Sequence, residues 1–355
     1  MIQKVFSVYV KKILIMNKNI SILSKIECKG GNEWRIGEYI IEFYKKGYNI
    51  NIYCHKNFND TVKKYICKKI GKTWTQNIYE NMKFKINCRP NEKLIISPVD
   101  ELSFGNPLFI NDLLINKNNI SKLIININWY RKDLKKLQLI IDNNKIIYLC
   151  ANREIQKFYK FKTNFITKYL PSPISKDFSK IKIDYDNIII GRHSRSFNYK
   201  FSSTYINIIK DNPNYKFLIM GLDLQNEQHI NKYSNINIFP EFKITALNFL
   251  QKIGIFMQIN RKDYIEMSPR VVEEAMMAGL PVIAENKNGT KDQIIHQKTG
   301  LLIDQNNIKK INKYLYKLIN NKKYRQQLGK NAKKYALKHF SSDIIVNKLE
   351  KLING

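Results

Sequence analysis

The stretch YIEMSPRVVEEAMMAGLPVIA, residues 264–284, decides how this chain is read. Ser268 is a good helix N-cap, and Pro269 suits the first helical position because a helix leaves that N–H unpaired anyway. The helix then runs to about Ala278 and stops at Gly279. The apolar run Leu280–Ala284 follows at once and reads as a buried strand. Two carboxylates bracket the helix start, Glu266 in the loop before it and Glu274 a turn and a half inside. A helix N-terminus presents unpaired N–H groups and partial positive charge, a natural seat for an anion. Carboxylates accept paired hydrogen bonds from vicinal hydroxyls. The pattern predicts a ligand that carries both kinds of group, lying at the carboxyl edge of a sheet.

Strands and helices alternate on both sides of that stretch. KKILIMN (11–17) reads as a strand, Gly30-Gly31 as a loop, and Trp34, Ile36, Tyr39, Ile40 and Phe43 recur at helical spacing up to a stop at Gly47. NINIYC (49–54) is the next strand, which makes a βαβ unit and a parallel sheet. KLIISPV (93–99), KLIININW (122–129), KIIYLCA (145–151), a helix over NREIQKFYKF, and FITKYLPSPISKDF (165–178) continue it. After Asp184 the alternation restarts with DNIIIGRHSR (186–195), YKFLIMG (215–221), NINIF (235–239) and GIFMQIN (254–260). TGLLI (299–303) is a last strand, and the chain from about Ile308 is helical and Lys-rich. The fold class is α/β, with two Rossmann-like domains facing a cleft. The expected division is 1–176 as the N-terminal domain, 177–186 as linker and 187–335 as the C-terminal domain. Residues 336–355 form a C-terminal helix that crosses back to the first domain.

The chain has 355 residues and a formal charge of +32, with 61 Lys+Arg against 29 Asp+Glu. The lysines are spread along the whole length, so most of this charge reads as solvated surface, with contact to an anionic membrane face as a secondary expectation. Cys28, Cys54, Cys67, Cys88 and Cys150 are odd in number and contain no C-x-x-C, which speaks against a disulfide framework or zinc knuckle. No apolar run approaches the ~18 residues of a membrane span. The expected location is cytoplasmic, with a peripheral contact at the inner face of the membrane.

The motifs E-MSPRVVE-E, EAMMAGLPVIA, NGTKDQII and TGLLI together resemble the C-terminal half of family 4 (group 1) glycosyltransferases of the GT-B fold. GRHSRSFNYK (191–200) is similar to the Gly-Arg…Lys segment that opens that half, CKGGNEWRIGEYIIEFYKKGYNI to the family's first Gly-Gly loop and helix, and YLPSPISKDF to its pre-linker signature. The resemblance implies a retaining glycosyltransferase of the hexosyltransferase type, using a nucleoside diphosphate sugar as donor and a saccharide or lipid-linked acceptor in glycan or cell-envelope biosynthesis. By the same resemblance Glu274 binds the donor ribose and Glu266 the transferred sugar. Arg192 and Lys200 hold the diphosphate with the helix start at Ser268, Pro269 and Arg270, Gly191 belongs to the same donor site, and Gly30 and Gly31 let the backbone approach the donor phosphates or the acceptor. No metal and no other cofactor is expected. The family's His in the N-terminal domain has no counterpart here; Asp100, Glu101 and Asp133 stand in that region without an assigned role.

Asp184-Tyr185-Asp186 is a D-x-D, a metal motif of the other large glycosyltransferase fold, but its place before a strand reads as solvated linker charge. His193, beside Arg192, reads as a loop histidine near the cleft. The absence of G-x-G-x-x-G and Walker A motifs weighs against nicotinamide enzymes and P-loop ATPases. Two rivals stand: a nucleotide-sugar epimerase of the same fold, which the scarcity of His disfavours, and a basic nucleic-acid- or membrane-binding protein with a degenerate GT-B core.

Overall fold

A computed structural model describes residues 18–24, 31–53, 60–71, 78–81, 90–97, 113–127, 142–162, 165–195, 200–222, 230, 232–264 and 266–355. The chain divides into two compact units, Met1–Pro173 with Ser342–Gly355, and Ile174–Ser341.

Unit 1 runs through β1 (Asn19–Leu23), α1 (Gly31–Lys45), β2 (Asn49–Tyr53), α2 (Asp60–Ile70), β3 (Ile78–Asn81), β4 (Glu92–Ile96), β5 (Ile120–Ile127), β6 (Ile146–Cys150), α3 (Arg153–Lys162) and β7 (Ile166–Tyr169). The strands form one parallel sheet in the order β3-β2-β1-β4-β5-β6-β7. Its central strands are continuous Ile/Leu runs because a parallel sheet is covered on both faces. On one face Ile20, Ile22, Ile50, Ile52, Ile95, Ile124 and Ile147 meet Ile36, Tyr39, Ile40 and Phe43 of α1. The expected strand 11–17, and Asp100, Glu101 and Asp133, lie outside the described residues. The helix α2 and strand β3 had no clear periodic signature in the sequence.

Unit 2 runs through β8 (Ile190–His193), α4 (Ser203–Asp211), β9 (Phe217–Met220), β10 (Ile236–Phe239), α5 (Ala246–Leu250), β11 (Ile255–Gln258), α6 (Arg270–Ala278), β12 (Val282–Glu285), α7 (Asn288–Gln293), β13 (Leu301–Ile303), α8 (Ile308–Asn320) and α9 (Lys322–His339). Its parallel sheet has the order β10-β9-β8-β11-β12-β13. One face packs Leu218, Met220, Phe256, Val282 and Ala284 against α6 and α9; the other packs Ile190, Ile219, Met257 and Ile283 against α4 and α8. In both sheets the first strand is central and the order reverses beside it, between β1 and β4 and between β8 and β11. Ligands of doubly wound sheets bind at the carboxyl ends of strands at that reversal.

The segment 177–186 lies within unit 2. Its apolar side chains explain why: Phe178 and Ile181 are buried in the same core as Ala332, Ala336 and Phe340. Asp184-Tyr185-Asp186 is a packing node. The Tyr185 hydroxyl donates to Gly279 O at 2.9 Å, Arg325 donates to Tyr185 O, and Lys322 bonds Asp186 at 2.7 Å. The chain enters unit 2 at Ile174 and leaves at Ser341, and these two residues form a β-bridge.

The last helix, α10 (Ser342–Asn354), returns to unit 1 and packs on α1. Ile345, Val346, Leu349 and Ile353 enter the core there. Each such aliphatic burial is worth about 1.5–3 kcal/mol. Glu350 fixes the register, accepting from Lys46 Nζ at 2.6 Å and from the Tyr48 hydroxyl at 3.0 Å. Among the described residues no helix is long and apolar enough to cross a membrane.

Candidate functional site

The functional residues predicted in unit 2 gather at the carboxyl ends of β8, β11 and β12. Residues alternate across a strand, so the adjacent Arg192 and His193 project to opposite faces of β8.

Arg192 is fully buried on the α4 side. Its Nη1 donates to Ser194 Oγ at 3.0 Å, and its Nη2 to Lys200 O at 3.2 Å and Asn260 Oδ1 at 3.3 Å. The guanidinium lies 5.1 Å from the Phe201 ring centroid. Burial pushes its pKa down to about 10, opposed by Tyr205, Glu285 and Glu266, so it stays a cation at neutral pH. The structure thus places Arg192 beneath the edge, where it holds the Lys200 backbone, and places Lys200 above it. Lys200 Nζ meets Glu266 Oε2 at 3.3 Å and lies 5.1 Å from the Tyr264 ring centroid.

Helix α6 begins one residue later than the sequence predicts. Pro269 occupies the N-cap, with no side-chain capping bond, so Ser268 does not cap the helix. The reason is local: Pro269 sits at φ −70° and ψ 97°, extended rather than helical. Gly279 ends the helix with φ +96°, a left-handed conformation that only glycine adopts without strain. Glu274 is buried, and its Oε1 accepts from Arg270 Nε at 2.8 Å across one helical turn. On the other side Glu274 Oε2 lies 3.7 Å from His193 Nε2. Glu266 and Glu274 are therefore both brought to this edge, each with a cation beside it.

The Asn-Gly of the loop after β12 seats on the same segment. A Cβ on Gly289 would fall 2.1 Å from Met267 O, so only glycine lets the two backbones touch. Behind the charged residues lies a buried polar layer. Gln258 Nε2 donates to Asn260 Oδ1 at 2.9 Å, and Asn260 N donates to Glu285 Oε2 at 3.1 Å. Burial raises the Glu285 pKa, against the pull of Lys287, whose Nζ is 3.0 Å from Glu285 Oε1. Sequence reasoning missed Gln258, Asn260 and Glu285; polar side chains ending otherwise apolar strands were the available signal.

Gly191 faces the core, where a Cβ would fall 2.5 Å from Ile253. In unit 1, Gly31 is the first residue of α1 and is exposed, while Gly30 lies outside the described residues. Unit 1 has its own polar edge. Leu23, Ile96 and Ile125 are in register, and one position beyond them stand Ser24, Ser97 and Asn126. They share the α1 face with Ile22, Ile95 and Ile124, two residues earlier. Ser97 Oγ donates to Asn32 Oδ1 at 2.9 Å. Ser24 Oγ is buried with no hydrogen-bond partner among the described residues.

The fold and the site can be set beside known proteins. A family profile described as "Glycosyl transferases group 1" matches residues 174–335. The capsular polysaccharide biosynthesis glycosyltransferase CapM of Staphylococcus aureus is 26% identical over 179 residues, 48% of this chain and 46% of CapM. An uncharacterized glycosyltransferase of Haemophilus influenzae is 26% identical over 213 residues, 57% of this chain and 59% of the relative. The chain thus spans about half the length of the curated relatives it matches. Two solved structures share the fold. HepE of Anabaena in complex with UDP-glucose is 13% identical with a TM-score of 0.70, covering 95% of this chain and 99% of HepE. A TarM mutant of S. aureus, in complex with UDP, alpha-GlcNAc-glycerol and fondaparinux, is 14% identical with a TM-score of 0.73, covering 95% and 100%. The architecture is the GT-B type, and the second unit of this chain matches the group 1 glycosyl transferases over residues 174–335.

Proposed function

We propose that the chain transfers a sugar from a nucleoside diphosphate sugar to a hydroxyl of a saccharide or lipid-linked acceptor, with retention of configuration. The observation that carries this reading is the pairing of two carboxylates with two cations, Glu274 with Arg270 and Glu266 with Lys200, at one sheet edge of unit 2. Carboxylates grip hydroxyls and cations grip phosphate, and the proposed donor carries both. Glu274 takes the ribose hydroxyls and Glu266 the transferred sugar. Lys200 turns from Glu266 to the diphosphate. Arg192 adds fixed positive charge from beneath and holds the Lys200 backbone in place.

In the transfer, the bond from the anomeric carbon to the diphosphate oxygen breaks and its electron pair leaves with the diphosphate. The acceptor oxygen bonds the anomeric carbon from the same face, and its proton passes to the departing phosphate oxygen. Negative charge grows on the leaving group, where Lys200, Arg192 and the start of α6 stabilise it. These cations do the work a divalent metal does elsewhere, so a chelator is expected to leave turnover unchanged.

The reading places the protein in the cytoplasm with a peripheral membrane contact. Supporting that contact, α3 exposes Phe161 between Lys160 and Lys162, with Lys157 exposed one turn earlier. The test is to incubate the protein with UDP-, GDP- and ADP-sugars and mixed cell-envelope acceptors and to measure free nucleoside diphosphate. Release from one donor, lowered about a hundredfold in Glu274→Ala, is the expected result. No release from any donor with any acceptor overturns the reading.

A further inference from the structure

Arg192 poses an electrostatic problem. A buried charge is costly unless an opposite charge meets it, and a buried arginine is ordinarily paired with a carboxylate. Arg192 is 0% exposed, yet its hydrogen bonds go to a hydroxyl, a backbone carbonyl and an amide oxygen: Ser194 Oγ, Lys200 O and Asn260 Oδ1. Its Nε is buried without a hydrogen-bond partner. The Phe201 ring beside it is neutral, and so is the nearby Tyr205 hydroxyl, whose pKa burial pushes up.

Two carboxylates act on Arg192 from a distance, Glu285 and Glu266, and each has a cation of its own. Glu285 Oε1 lies 3.0 Å from Lys287 Nζ, and Glu266 Oε2 lies 3.3 Å from Lys200 Nζ. Three cations thus share two carboxylates, and Arg192 is the one in surplus. Asn260 stands at the centre of this balance. Its backbone N–H is taken by Glu285 Oε2 at 3.1 Å, while its side-chain Oδ1 accepts both from Arg192 and from Gln258 Nε2 at 2.9 Å. An aspartate has the same shape, could accept the same two bonds and would also pair the buried guanidinium. The residue at this position is the neutral one.

We propose that Asn260 is a positioning residue for the diphosphate: as a neutral acceptor it fixes the Arg192 guanidinium beneath the sheet edge without neutralising it, so the surplus charge acts on an anion bound beside Lys200. A fixed charge in a wall of low dielectric reaches further than one in water. The inference rests on the reading of this edge as the diphosphate site, and adds to it the residue that keeps the buried charge available.

The experiment titrates the full chain with UDP, GDP and ADP by calorimetry, then with the plain nucleoside of whichever binds tightest, by ligand-observed NMR. Asn260→Asp is expected to weaken the diphosphate about tenfold and to leave the nucleoside unchanged. Ser194→Asp, which offers a carboxylate to the same guanidinium from Nη1, is expected to do likewise and guards against one variant that disturbs the fold; thermal melting monitors both. Asn260→Ala releases the guanidinium but adds no charge, and is expected to weaken the diphosphate less. An unchanged diphosphate affinity in both carboxylate variants, equal weakening of nucleoside and diphosphate, or an alanine effect as large as the aspartate effect overturns the role of Asn260. So does failure of both carboxylate variants to fold, since a layer that rejects a carboxylate has no positive charge in surplus. A wild type that binds none of the three nucleotides, or binds the diphosphate no better than the nucleoside, overturns the diphosphate reading itself, and the inference goes with it.

Discussion

The central strands of unit 1 end in Ser24, Ser97 and Asn126, while those of unit 2 end in Arg192, His193, Gln258 and Glu285. Both sheets are parallel and doubly wound, and both reverse their order beside the first strand. Their scaffolds offer the same crevice, so topology does not separate them. Charge does. The strand-end row in unit 1 is neutral and suits hydroxyls. The edge of unit 2 combines buried fixed cations with carboxylates, which a diphosphate ester and its sugars require. The electrostatics of a few strand-end residues, on a repeated frame, set the two edges apart.

The comparison breaks most directly at Glu274. Glu274→Ala removes the carboxylate that Arg270 meets, and is expected to cost about 3 kcal/mol in transition-state stabilisation, roughly a hundredfold in kcat/KM. A loss under fivefold in nucleoside diphosphate release would remove Glu274 from the donor site. Lys200→Ala removes a partly exposed cation, and about a tenfold weaker nucleoside diphosphate is expected by calorimetry, the gap narrowing as salt is raised. If the gap is indifferent to salt, Lys200 does not meet the phosphates.

His193 gives a smaller effect with a definite sign. Its folded pKa of about 3 lies below the ordinary 6.5, so between those values the unfolded chain binds a proton that the folded chain refuses. Stability contributed by the neutral ring is present above pH 6.5 and lost as pH falls towards 3. Relative to His193→Phe, wild type is expected to lose up to about 1.4 kcal/mol per pH unit in that window. Parallel denaturation curves for the two proteins at pH 6.5 and 4.5 would show that the ring is protonated in the fold. The smallest effect falls in unit 1. Ser24→Ala removes a buried hydroxyl that lacks a partner, and a gain of about 0–1 kcal/mol in denaturant unfolding is expected, with nucleotide affinity unchanged. A marked loss of nucleotide affinity would mean the neutral edge also serves the diphosphate, and the division proposed here would fail.

Much of the fold was legible because its signals are local and repeated. Ile/Leu runs of strand length alternate with helical spacing, and Gly47 and Gly279 stop helices with φ of +78° and +96°. Arg192 with Lys200, and Glu266 with Glu274, were legible as pairs because two short motifs, 191–200 and 264–284, carry them. What escaped depends on tertiary position. His193 looks like a loop residue until strand β8 is seen to extend through it and turn its ring under α6. Arg192 reads in the sequence as a cation that meets the diphosphate directly, yet alternation along the strand sends it into the interior. Ser268 looks like a cap, but the extended Pro269 displaces the helix start. The unit boundary near Ile174 was hidden because Phe178 and Ile181 carry no period that says which core receives them.

The pairing of Ile174 with Ser341 has a consequence for how the molecule is made. Unit 2 is an insertion within unit 1, entered and left at adjacent points. A ribosome therefore releases the sheet of unit 1 first and its last helix only after the whole of unit 2 has emerged. During that interval the α1 face lacks Ile345, Val346, Leu349 and Ile353, and the nascent unit 1 presents an open apolar surface. Synthesis that stalls before α10 would leave a finished unit 2 tethered to an unfinished unit 1 prone to aggregate, so α10 acts as the fastener of the first domain to be born.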